Sequence, residues 1–203
     1  MKEERFEETV ERAIKNLRNI NTISPEELPA MDLYMDQLTT FMDRKLQGLV
    51  RKPSRDKVLT KTMINNYAKN HLIQPPVKKK YTREHMLELL FIFYYKSFLS
   101  ISDIQTLLSP LSEGSLGAYS CEKLYSEMIS AGKGARAKLK KDLDEKVEKV
   151  EKSFDDAPED KKEYLKKFAF ICQIGYDIYL RKRIIENMID DMAEEQFLNE
   201  DPE

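Results

Sequence analysis

Apolar residues recur every three or four positions along most of this chain, a spacing that predicts a mainly α-helical protein. Phe6, Val10, Ile14, Leu17 and Ile20 define a first amphipathic helix, ended by Asn21-Thr22. Ser24-Pro25-Glu26-Glu27 has the spacing of a capping box with proline at the first helical position, and Pro29 restricts it to a short turn. Met31, Met35, Leu38, Met42, Leu46 and Leu49 form the next stripe, on one helix, and a basic loop follows from Gly48 to Asp56, punctuated by Pro53. Thr60 or Thr62 caps a short polar helix, Met63 to Asn70, which ends at Asn70-His71, ahead of Pro75-Pro76. Thr82 caps a helix that is apolar nearly all round, with Met86, Leu87, Leu89, Leu90, Ile92 and Phe93, as expected of a central core element. A shorter helix carries Ile101, Ile104, Leu107 and Leu108 and is expected to end at Pro110.

The stretch from Ser112 to Gly117 is the best boundary candidate. Beyond it lie a helical segment from Tyr119 to Ile129 and a break at Ala131-Gly132-Lys133-Gly134. A charged helix follows, with a narrow seam of Leu139, Leu143, Val147, Val150 and Phe154 suited to a partner helix. After a turn at Ser153 to Pro158, a last helix from Glu159 to about Gln196 carries Tyr164, Leu165, Phe168, Ile171, Cys172, Tyr179, Ile185, Met188, Ile189 and Met192. Such a broad apolar surface belongs either in an intramolecular bundle or at a homodimer interface. The pattern divides the chain into an N-terminal amphipathic helix (1–27), a central module (28–112) and a C-terminal helical region (118–203).

Composition narrows the class. Six glycines and no tryptophan argue against a sandwich or barrel, and an apolar fraction of 41% suffices for a core. Cys121 and Cys172 match no zinc or redox spacing and read as ordinary thiols of a reducing compartment. The charged N-terminus lacks the apolar core of a signal peptide, and the apolar stretches are too short or too interrupted to span a bilayer, which takes about 20 residues. The expectation is a cytoplasmic protein with no membrane partner.

Charge supplies the functional clue. The net charge is only −2, yet residues 51–83 hold ten Lys or Arg against Asp56 alone, or +9, which leaves −11 for the remainder. From Ile184 onward there are eight acids and no Lys or Arg. A basic segment on an otherwise acidic chain suits a local polyanion site. Within it, Met63, Ile64 and Tyr67 can dock one side of the short helix while Lys61, Thr62, Asn65, Asn66 and Lys69 face outward. An asparagine amide both donates and accepts, matching the adenine edge, whereas lysine and threonine reach phosphates. Lys78, Lys79 and Lys80, followed by Tyr81 and Arg83, make a basic wing that would neutralise about two or three phosphates.

In this order the residues resemble the DNA-binding domain of MerR-type regulators. Ile64-Asn65-Asn66-Tyr67 stands where that family has Leu-Arg-Tyr-Tyr, and Leu72-Ile73 with Pro75 stands at its Gly-Leu-Leu-Pro turn. Lys78-Lys79-Lys80-Tyr81 occupies the wing, and Leu99-Ser100-Ile101 with Ile104 and Leu107-Leu108 the closing motif. More closely still, LPAMDLYMDQLTTFMD with LTKTMINNYAKNHLI is similar to a bacterial domain-of-unknown-function family that is itself a remote MerR-like relative. The chain departs from the MerR pattern at Asn65 (arginine there), His71 (the turn glycine) and Phe98 (glycine), and its first module helix lacks Ala-x-x-x-Gly. The resemblance covers about residues 28–110. It implies a winged helix-turn-helix module with a C-terminal helical extension, double-stranded DNA as partner, a homodimer, and a small-molecule or protein effector met by residues beyond 115.

No glycine-rich phosphate loop, nucleophile motif or HExxH occurs, so no enzymatic activity, cofactor or metal is expected. His71 and His85 read as surface or wing-support residues. The main expectation is a sequence-specific transcriptional regulator. The alternative is a helical protein–protein interaction module whose helix-turn-helix-like fold no longer binds DNA.

Overall fold

The computed structural model describes residues 5–17, 22–52, 56–112, 119–132 and 134–200. They form eight α-helices and one two-stranded sheet: α1 (Phe6–Leu17), β1 (Leu33–Tyr34), α2 (Met35–Leu46), α3 (Lys61–Lys69), β2 (Lys80–Tyr81), α4 (Arg83–Tyr95), α5 (Ile101–Ser112), α6 (Cys121–Gly132), α7 (Ala135–Glu151) and α8 (Glu159–Glu200). No described helix is long and apolar enough to cross a membrane. The chain divides into two compact units, 22–130 with 184–203, and 1–21 with 131–183. The boundary expected at 112–117 is not where the chain divides, and residues 113–117 lie outside the described residues.

The first unit is built around α4. Residues 85–92 of this helix are all buried, His85 and Glu88 among them, as expected of a helix that is apolar nearly all round. Leu38, Met42 and Leu46 from α2, Ile64 and Tyr67 from α3, and Ile104 and Leu108 from α5 pack into the same core, together with Tyr125 from α6. Because Cys121 and Tyr125 belong to this core, α6 is part of this unit rather than of a separate C-terminal region.

Three local features differ from the pattern-based expectation. The stripe beginning at Met31 is not one helix: Leu33–Tyr34 is extended and pairs antiparallel with Lys80–Tyr81, while Gln47–Leu49 tightens into a 3-10 turn. Helix α5 does not stop at Pro110 but runs through it to Ser112. Proline removes an N–H and so frees the carbonyl four residues back. That carbonyl, on Thr106, accepts instead from Gln196 Nε2 (3.3 Å) and Ser109 Oγ (3.2 Å). The third difference lies in the other unit, where α8 packs through a side the apolar stripe did not mark. Phe170 turns inward there while Tyr164, Phe168, Ile171 and Tyr179 stay exposed.

In that second unit α1, α7 and the first part of α8 share a small core of Phe6, Val10, Leu143, Val150 and Phe170. The Phe6 and Phe170 rings meet edge to face at 5.3 Å, and Glu163 accepts from the Phe6 N–H. The narrow seam of α7 is therefore occupied within the chain, at Leu143 and Val150, whereas Leu139 is exposed.

Candidate nucleic-acid interface

Helix α3 starts where its cap dictates. Thr60 is extended and its Oγ1 accepts from the Met63 N–H (3.2 Å), satisfying one of the orphan donors of the first turn. At the other end the chain closes a Schellman motif, with Leu72 N–H donating to Tyr67 O (2.9 Å) and His71 N–H to Ala68 O (3.3 Å). His71 supplies the left-handed residue this motif needs, at φ 56°. It does so without glycine's freedom, and Leu72 and Tyr67 complete the hydrophobic contact as buried neighbours.

With both ends fixed, the helix shows one apolar and one polar side. Ile64 and Tyr67 are buried and Met63 half-buried, whereas Lys61, Thr62, Asn65, Asn66 and Lys69 are all exposed. All five expected contact residues of α3 therefore share one open face. Among the described residues neither asparagine side chain makes a hydrogen bond. Lys61 alone is engaged, in an ion pair with Asp36 at the start of α2.

The wing is a two-residue hairpin. Lys80 N–H donates to Val77 O (2.9 Å), and the two residues between, Lys78 and Lys79, have φ of 50° and 63°. Positive φ at both central positions is the type I′ pattern, for which Asn-Gly is the usual choice. Each lysine held there costs roughly 1–2 kcal/mol of backbone energy. Both are exposed and neither forms an ion pair among the described residues.

Two residues beyond Lys79 the chain is used in the opposite way. Tyr81 is 2% exposed and its ring packs edge to face on His85 at 5.5 Å, so Tyr81 is a core residue and leaves the expected wing set. Arg83 leaves it too. Its guanidinium grips both carboxylate oxygens of Glu122 (2.9 and 3.0 Å) and donates to the carbonyls of Pro25 (2.7 Å) and Leu28 (3.3 Å). This planar fork ties α6 and the turn at Pro25–Glu27 to the start of α4. Four of the five N–H donors of Arg83 are used within the module.

His85 holds the base of the wing. Its Nδ1 accepts from the Thr82 N–H (3.0 Å) while Thr82 Oγ1 accepts from the His85 N–H (3.5 Å), a capping box with histidine in the usual place of Glu or Gln. The far nitrogen, Nε2, donates to the Gln74 carbonyl (3.0 Å) ahead of Pro75-Pro76. Burial lowers the histidine pKa below its ordinary value, against the opposing pull of the Gln74 and Pro75 backbone and of Glu84 and Asp32, and a ring that accepts at Nδ1 and donates at Nε2 is the neutral Nε2 tautomer.

Helix α3 and the wing converge on one short stretch. Lys61 pairs with Asp36, and Lys80 lies over the Tyr34 ring, 5.3 Å from its centroid. Tyr34 and Asp36 are two residues apart, so the start of α3 and the outgoing strand of the wing reach the same place on the surface.

A groove of about 670 Å³ extends this surface along α2, lined by Thr39, Thr40, Arg44, Lys57, Thr60 and Thr62 among others. Sequence pattern did not mark Thr40 and Arg44 as part of this surface. They stand one turn apart on the solvent side of a helix chosen for its apolar stripe, a signal visible only once α2 is placed beside α3. Lys57 enters through the α2–α3 connection, which is anchored by buried Val58 and Leu59 and by Lys96 Nζ donating to Val58 O (3.0 Å). Residues 53–55 of the expected basic loop, Pro53 included, lie outside the described residues. Among the described residues no three His, Cys, Asp or Glu side chains are placed to hold a metal ion.

A family model described as a domain of unknown function (DUF1836) matches residues 23–128. The chain belongs to the DUF1836 family. The matched DUF1836 segment coincides closely with the continuous stretch 22–130 of the first unit and takes in helices α2 to α6 and the β1–β2 pair. No curated protein and no solved structure matches the chain. The DUF1836 segment ends in α6, which supplies Glu122 to Arg83, and so contains both halves of that structural tie.

Proposed function

We propose that the DUF1836 module of this chain is a winged helix-turn-helix of MerR-like type that binds double-stranded DNA as a sequence-specific regulator. In this reading α3 lies in the major groove, with Asn65 and Asn66 on base edges, while Lys61, Thr62 and Lys69 hold phosphates. Lys78 and Lys79 at the wing tip, with Lys80, neutralise the backbone beside it. The single observation that carries the proposal is the hairpin tip, where two solvent-exposed lysines occupy left-handed positions that an Asn-Gly pair would fill without strain. Arg44 and Lys57, with Asp43 between the α2 threonines and Arg44, line the groove that continues along α2.

Fluorescence anisotropy against promoter fragments at low salt tests it, since phosphate contacts are strongest there. Binding that weakens as salt rises is expected. Lys79→Ala should weaken all sequences alike, whereas Asn66→Ala should flatten discrimination between them. Absence of binding at low salt would overturn the proposal. One observation favours the alternative, a protein-interaction module: the α2–α3 connection runs from Gln47 to Thr60, far longer than the three or four residues of a helix-turn-helix turn. An acidic protein partner captured by the same lysines, with no DNA affinity, would decide for it.

A further inference from the structure

Helices α7 and α8 are joined by the short turn at 152–158 and run antiparallel, and side-chain pairs fix their register. Lys166 meets Glu151 near the turn. Further along, Lys146 meets Asp177 (2.9 Å) as well as Asp142 on its own helix. Asp142 and Asp177 therefore stand at one level, and Lys138 and Arg181 stand across from each other one turn farther from the hairpin. The same register sets Leu143 across from Ile174 and Leu139 across from Ile178. All of these residues, with Ala135, line a groove of about 740 Å³, within the roughly 300–1,000 Å³ of small-ligand sites.

The groove is apolar below and positive above. Its deep end joins the core of this unit, where Leu143 is buried and Ile174 packs against it, whereas Leu139 and Ile178 are exposed. Both acids are already paired, because Lys146 takes Asp142 and Asp177 together. Lys138 and Arg181 are exposed and form no ion pair among the described residues. Three cations thus meet two acids, and the surplus positive charge stands beside the open apolar residues.

We infer that this groove binds a small amphipathic anion, a carboxylate on an aliphatic chain, with Lys138 and Arg181 holding the head and Leu139, Leu143, Ile174 and Ile178 the tail. An arginine fork takes a carboxylate through two parallel hydrogen bonds, and the lysine on the facing wall adds a point charge. From Leu139 to Leu143 the floor runs only about 6 Å, four residues at 1.5 Å rise, so it suits a short free acid rather than a bilayer lipid.

This inference does not rest on DNA binding, and its failure would leave the functional proposal standing. Isothermal titration calorimetry of the full chain with octanoate tests it. Octanoate should bind saturably, with affinity rising roughly fourfold for each methylene added from butanoate upward, while octylammonium should not bind. Lys138→Gln with Arg181→Gln should weaken octanoate tenfold or more at unchanged helical circular dichroism, since both side chains are exposed. Ile178→Glu, also at an exposed position, sets a like charge on the floor and should abolish binding. Lys138→Glu with Arg181→Glu should reverse the preference toward octylammonium. No saturable binding of octanoate, octylammonium bound as tightly by the parent chain, or affinity unmoved by the glutamine pair would each overturn it. So would a chain that binds vesicles of anionic phospholipid and ignores free octanoate.

Discussion

The tip and the base of the wing lie within six residues of each other and are built on opposite terms. At the tip, Lys78 and Lys79 are exposed, strained and without ion pairs among the described residues. At the base, Tyr81 is buried, and Arg83 and His85 spend their polar atoms on Glu122, on Thr82, and on the backbone of Pro25, Leu28 and Gln74. Runs of basic and aromatic residues are commonly taken as one binding patch. Here the run is two devices, a costly exposed charge and the frame that presents it. The frame should answer to stability measurements and the tip to binding measurements, and substitutions can separate them.

The largest effect is expected at Tyr81. Tyr81→Ala empties a fully packed site between β1 and His85 and should lower unfolding free energy by about 3–4 kcal/mol, read from urea denaturation midpoints. Arg83→Ala comes next. It leaves the Pro25 and Leu28 carbonyls and Glu122 without their donor, and should cost about 2 kcal/mol, since these charge-assisted bonds lie in a half-exposed site. Arg83→Lys should recover little, because an ammonium cannot hold Glu122 bidentately while it reaches both carbonyls. If Arg83→Ala left stability unchanged but abolished DNA binding, the division between tip and base would be wrong.

The same division explains what could be read in the chain before it was folded. The caps at Thr60 and Thr82 and the open face of α3 are written in residues a few positions apart, so period and spacing were enough. The partners of Arg83 were not legible, because Glu122 lies 39 residues away and Pro25 lies 58. A cation in a basic run gives no local sign that its donors are already committed. Strand β1 was hidden for a related reason: a helical stripe drawn through Met31 and Met35 runs across Leu33–Tyr34, and only pairing with Lys80–Tyr81 shows that these two residues are extended. On α8 the apolar residues were plain, but not which of them turn inward. Phe170 packs on Phe6 from the far end of the chain, a contact no local period encodes.

A smaller effect with opposite signs in two assays sharpens the comparison at the tip. Lys78→Asn with Lys79→Gly installs the residues that a type I′ turn prefers. Stability should rise by about 1–2 kcal/mol as the left-handed strain is relieved. If the proposed function holds, DNA affinity should fall together with the steepness of its dependence on salt, by about two phosphate contacts. Stability that rose while binding stayed the same would remove the tip from the interface.

The last test is at His85, where the frame meets pH. Its folded pKa is lowered by burial, so the unfolded chain binds the proton more readily than the folded one. Stability from this site is therefore present in full above about pH 6.5, the ordinary histidine value, and is lost as pH falls through the depressed folded value. Protonation would place a hydrogen on Nδ1, where the Thr82 N–H already donates, and so would break the cap of α4 and loosen the base of the wing together. His85→Gln is the informative change, since a glutamine at this position can complete a capping box but does not titrate. Denaturation midpoints of the variant should vary less between pH 7 and pH 5 than those of the parent. Equal slopes would show that the acid sensitivity of the module lies elsewhere and that His85 is a packing residue only.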